Sequence, residues 1–153
     1  MGEPSAGRPP PRYALGRVVP LAFEEADRAV RAALQDEGFG VLTEIDVSAT
    51  LAKKLAVDLP RHTILGACAP ALAYRALQAE PEVGLLLPCN VVVRVDARGR
   101  TVVEAIDPVV QLGVAENAAL LPVAEEVRAR LLRVLERVGA PRRASRNPAE
   151  AYW

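Results

Sequence analysis

The chain has 153 residues, with 19 Lys plus Arg matched by 19 Asp plus Glu, and 51% of its residues are apolar, the profile of one globular domain with enough chain to bury a core. Zero formal net charge, balanced in each half, removes the electrostatic basis for polyanion binding, so neither nucleic acid nor an anionic membrane surface is an expected partner. No stretch approaches the roughly 18 apolar residues that span a bilayer, and the N-terminal prolines and arginines contain no apolar segment of signal type, so a cytoplasmic protein is expected.

Residues 1–11 and 140–153 are rich in Pro, Ala, Gly and Arg without hydrophobic period and are expected to be loose tails around a single domain over 12–139. The domain opens with a strand over 13–19, stopped by Pro20. In the helix that follows, Phe23, Ala26, Val30, Ala33 and Leu34 recur at three- and four-residue spacing. Glu24 and Glu25 occupy its favourable N-terminal end and Gly38 its stop. Gly38 and Gly40 flank Phe39 in a turn expected to use positive φ. Next, Val41, Thr43, Ile45 and Val47 alternate with Leu42, Glu44 and Asp46, which predicts a strand with the first set buried and the acids on the opposite face. Ser48 is placed as the cap of a short helix through Ala56. A third strand follows over 61–68, and Pro70 suits the first turn of a helix over 71–77 that Pro81 closes.

The strongest local signal is a hairpin: a strand over 89–95, a turn at Ala97, Arg98 and Gly99, and a strand over 100–106 ended by Pro108. With Gly99 at the left-handed position of a three-residue loop, Val91 faces Ala105, Val93 faces Val103 and Val95 faces Thr101. A one-residue slip would put Arg94 or Glu104 among the valines. Finally Pro122 opens a long helix whose Val123, Val127, Leu131, Val134, Leu135 and Val138 form a stripe, ended by Gly139. The order β-α-β-α-β-α-β-β-α predicts an α+β two-layer sandwich, helices covering the apolar face of a mainly antiparallel sheet.

The segments Glu37 to Gly40, Ile64 to Cys68 and Leu86 to Val91 read Glu-Gly-Phe-Gly, Ile-Leu-Gly-Ala-Cys and Leu-Leu-Pro-Cys-Asn-Val. In these the chain resembles the domain-of-unknown-function 302 family, strongly over 36–94 and more weakly from 13 to the last helix. The resemblance implies a compact two-layer domain with a curved antiparallel sheet, often homodimeric, and specifies no reaction. The family usually carries Asn after the first cysteine, where this chain has Ala69, so a side chain able to cap the next helix or touch a ligand is missing.

The candidate site residues are Cys68, Cys89 and Asn90. Cys68 ends a strand at a helix N-terminus, where the dipole lowers a thiol pKa, although Cys is also among the most buried residue types. Cys89 shares the face of Val91 and Val93, and the register sets it opposite Asp107, a neighbour that disfavours the thiolate. Thiol plus carboxylate is also half of a metal site, but no complete metal-ligand set, cofactor motif or phosphate loop is present. Asn90 looks to the other face, where with Glu44, Asp46, Arg94 and Glu104 it lines either a ligand groove or a solvated surface with a diagonal Arg94 and Glu104 ion pair. His62, the single histidine, lies about 20 Å along an extended strand from Cys68, too far for joint ligation. The first reading is a homodimeric module binding a metabolite, thiol or metal in a concavity lined by Asn90 and the loop 67–70. The alternatives are a thiol-dependent enzyme or redox protein using Cys68 or Cys89, including a disulfide between them, and a structural interaction domain.

Overall fold

The hairpin register set by the valines is the register observed. In the computed structural model, which describes residues 9–139, β4 (Cys89–Val95) and β5 (Thr101–Ile106) pair antiparallel with Val91 against Ala105, Val93 against Val103 and Val95 against Thr101. Gly99 takes φ +79 in the connecting loop, a conformation that costs L side chains and not glycine. The Asp96 carboxylate clasps the loop by accepting from the backbone N–H of Arg98 and Arg100 and from the Arg100 side chain.

Three further strands complete an antiparallel sheet: β1 (Ala14–Val19), β2 (Gly40–Asp46) and β3 (His62–Cys68), in the order β1-β5-β4-β3-β2. Three helices bring their apolar stripes to one face: α1 (Phe23–Asp36), α3 (Pro70–Ala79) and α5 (Leu121–Gly139). Leu65, Val91, Val93 and Val103, at most 1% exposed, lie under them with Val30, Leu34, Leu131 and Val134. Each such side chain contributes roughly 1.5–3 kcal/mol of burial. The shorter α2 (Val47–Leu55) contributes no buried residue. A short helix absent from the expected order, α4 (Pro108–Gly113), starts at the proline that ends β5 and buries Pro108 and Leu112. Two 3-10 turns complete the path, at Pro81–Leu86 and Ala118–Leu120; Pro81 therefore starts a turn as well as closing α3. No helix among the described residues is long and apolar enough to cross a membrane. Of the expected loose tails over 1–11 and 140–153, residues 1–8 and 140–153 lie outside the described residues.

The expectation for β2 fails in an informative way. Its pairing with β3 shifts between Val41 and Thr43, so Leu42 is an extra residue and the alternation inverts there. Val41 packs against the core. Past the bulge, Thr43 and Ile45 turn to the open face and Glu44 turns to the helix face, where its carboxylate meets Arg31 of α1 at 2.8 Å. As an edge strand, β2 hides little of either face. The cap of α2 is Asp46, which accepts from the Ala49 N–H and from the Ser48 hydroxyl, with Ser48 inside the helix. Those donors hold the Asp46 carboxyl below its usual range. Gly38 has φ +84, whereas Gly40 opens β2 without positive φ.

Gly66 of β3 pairs with Thr43 of β2 and lies beside Pro88 of the turn before β4. A Cβ added there would collide with the Thr43 hydroxyl and approach Pro88 Cγ to 2.9 Å. Gly66→Ala should therefore lower the urea midpoint, with a loss on the order of 1–3 kcal/mol, and Thr43→Ala should restore part of it; equal stability of the parent chain and the single variant would contradict this packing.

Candidate functional site

Where β3 and β4 run into their neighbouring turns, the helix layer leaves a cavity of about 310 Å³. Its walls are Phe39 and Leu42 beside the β2 entry, Leu72, Ala73, Ala76 and Leu77 of α3, Leu112 of α4, and Val123 and Val127 of α5. Ala67, Cys68 and Ala69 at the end of β3, with Leu87, Pro88 and Cys89 at the start of β4, form its sheet side. A more open depression of about 490 Å³ beside β1 and α5 is lined in part by Arg17 and Glu136 and holds none of the candidate residues.

The cavity gathers two of the three candidate residues. Cys89 is 7% exposed, its Cα pairing across the ladder with that of Ala67. Cys68, the next residue along β3, is half-buried. Both thiols are unpaired with each other or any other cysteine. Burial, reinforced by the neighbouring Cys68, pushes the Cys89 thiol up to about 12, and burial also raises Cys68. Desolvation is the cause of the Cys68 shift, and with both thiols raised both groups are protonated at neutral pH. The carboxylate expected to face Cys89 is engaged elsewhere: Asp107 caps α4 by accepting from the Val109 N–H at 2.9 Å and pairs with Arg128 at 3.2 Å.

The partner of Cys89 is instead Gln111, whose Oε1 accepts from the thiol at 3.5 Å. The Gln111 amide also donates to the carbonyls of Leu86 and Pro88, tying α4 to the turn that enters β4. Gln111 is the single polar side chain in Pro108–Gly113, a sequence signal that the missed helix concealed.

Asn90 is exposed on the opposite face and does not line the cavity, nor does Pro70. The expected concavity shared by Asn90 and the loop 67–70 is therefore divided. The open face carries the foreseen ion pair, Arg94 Nε to Glu104 Oε1 at 2.7 Å, whereas Glu44 and Asp46 are drawn off to Arg31 and to the α2 cap. Around that pair lie Ile64 and Val92, half-buried, and Ile45 and Val18, 48% and 47% exposed. His62 pairs across the ladder with Arg94; burial first, then the Arg94 charge, lowers its pKa, with Glu104 opposing. Ala69 opens α3 with no side-chain cap. Among the described residues, no group of three or more His, Cys, Asp or Glu could hold a metal ion.

These features sit within a wider likeness. Residues 16–138 match the family described as Domain of unknown function DUF302. The chain belongs to that family. A crystal structure of an uncharacterized conserved DUF302 protein from Bacillus stearothermophilus is similar to it, with a TM-score of 0.78 and 29% identity over 84% of this chain and 99% of that one. No curated protein matches the chain in sequence. The β-α-β-α-β-α-β-β-α order is thus a DUF302 arrangement in which the cavity lies between α3 and the α4 and α5 pair.

The thiol geometry sets an order of reactivity. In the native protein at pH 8, iodoacetamide should modify Cys68 slowly and leave Cys89 untouched, as read by intact mass. The Cys68 rate should keep climbing above the ordinary thiol range of about 8.5, because a raised pKa postpones thiolate formation to higher pH. Rapid labelling of Cys89 at pH 7 would show that it is neither buried nor held protonated.

Proposed function

We propose that the protein is a small-ligand-binding module that works as a homodimer in the cytoplasm. The observation that carries this reading is the cavity of about 310 Å³, walled almost wholly by apolar side chains within the range of small-molecule sites. Two unpaired thiols suit a reducing compartment. Protonated thiols are poor nucleophiles, so the cysteines serve the cavity as small apolar wall groups, and binding is favoured over thiol catalysis.

The dimer half of the proposal rests on the open face. Ile45, Ile64, Val92 and Val18 form an apolar patch around one neutralised ion pair, and apolar patches of this kind on a sheet favour burial against another surface. A second copy offers the same patch, so a two-fold contact is self-complementary.

Native mass spectrometry of the purified full chain tests both halves. Expected are a species of twice 16.4 kDa and a retained apolar small molecule, or thermal stabilisation by apolar compounds in a screen; a ligand-free protein that no compound stabilises would overturn the binding reading. For the dimer, the double substitution Ile45→Glu and Val18→Glu should yield a folded monomer in light scattering, with its circular dichroism unchanged. A dimer of undiminished affinity would place the interface elsewhere.

A further inference from the structure

The lining of the cavity restricts what can enter it further than the word apolar does. No charged side chain contributes to the wall, and Thr43, whose side chain turns to the open face, is its single residue with a side-chain oxygen. Among the described residues no buried side-chain nitrogen or oxygen lacks a partner, and the Cys89 thiol already donates to Gln111. A ligand heteroatom placed in the interior would lose its water and meet no charged group and no free buried side-chain nitrogen or oxygen, the thiol of Cys68 being at best a weak partner. The part of the ligand that enters is therefore hydrocarbon.

The wall also has a direction. It runs inward to Cys89 on β4, two strands from the β2 edge, and to Leu112 and Val123 on the α4 and α5 side, all buried. Its mouth is edged by Leu42 and Leu77, 66% and 39% exposed, with Thr43 beside them. A molecule swallowed whole would leave those leucines in water, whereas a tail running outward would cover them. Phe39 is the single ring in a wall otherwise built of aliphatic side chains, thiols, a hydroxyl and prolines, so flexible dispersion contacts outnumber stacking surfaces.

We infer that the cavity holds the unbranched hydrocarbon chain of an amphiphile, with the chain end near Cys89 and the polar head in water beside Thr43. This rests on the ligand-binding reading above and names its ligand class. A free fatty acid and an acyl or alkyl compound with an uncharged head share that tail, so both are tested.

The full chain is titrated with 1-anilinonaphthalene-8-sulfonate, and the bound dye is competed off with n-alkanols from hexanol to tetradecanol and with the matching n-alkanoates. Dissociation constants should fall about fourfold for each added methylene, as burial of one CH₂ requires, and then level off once the cavity is full. Stronger binding of the alkanoates at equal length would assign the charged head, and equal or weaker binding the neutral one; either supports the chain. Ala73→Leu, at a half-buried wall position, should move the plateau to shorter chains and leave the step per methylene intact. Leu77→Ser at the mouth should weaken every member of the series by a similar factor. Displaceable dye with no dependence on chain length, or a plateau that Ala73→Leu fails to move, overturns the chain assignment while leaving a ligand site. If dye, alkanols and alkanoates all fail to bind, the ligand-binding proposal itself falls.

Discussion

One face of the β4 and β5 hairpin against the helix layer is the contact on which the remaining structure is hung. Val91, Val93 and Val103 are at most 1% exposed, and because side chains alternate across a strand, burying them fixes where every neighbour points. Cys89 is drawn to the helix side and Asn90 to the open side by that single constraint. The strands beside the hairpin inherit it: Leu65 of β3 pairs with Val91 and Leu15 of β1 with Ala105, so one continuous apolar row crosses from β1 to β3.

The same constraint explains what could be read from the sequence and what could not. The hairpin, α1 and α5 follow from local period, with each apolar residue repeating at the spacing its element demands. The edge strand β2 does not, because its bulge is set by contact with β3 and leaves the spacing of apolar residues unaltered. Leu42 looks like an ordinary alternating residue, yet it becomes the surplus one that reverses Thr43, Glu44 and Ile45. The cavity was half legible. Cys68 and Cys89 stand out as residue types, Leu72, Ala73, Ala76 and Leu77 share one side of α3, and Val123 and Val127 belong to the α5 stripe, but the rest of the opposite wall comes from α4, a six-residue helix too short to show a period.

Burial acts on the two cysteines in the same sense. A helix N-terminus favours a thiolate, whereas removal from water favours the thiol and raises the pKa of both Cys68 and Cys89. A thiol in such a wall behaves as a compact, polarizable apolar group, which joins its chemistry to that of the leucines and valines around it. Ala69 extends the same tendency: it is 5% exposed and lines the cavity with a methyl group.

Gln111 braces one side of the site with hydrogen bonds. Its amide spans the carbonyls of Leu86 and Pro88 while its oxygen receives the Cys89 thiol, so the strand entrance and α4 are bolted together by directional bonds. Across the gap, α3 leans on side-chain packing and is anchored beyond its last turn, where Asn117 donates to Glu80 at 3.2 Å. The two sides of the gap therefore differ in kind: directional hydrogen bonds fix the α4 side, whereas the ten-residue α3 is set by the shapes of the side chains it packs against.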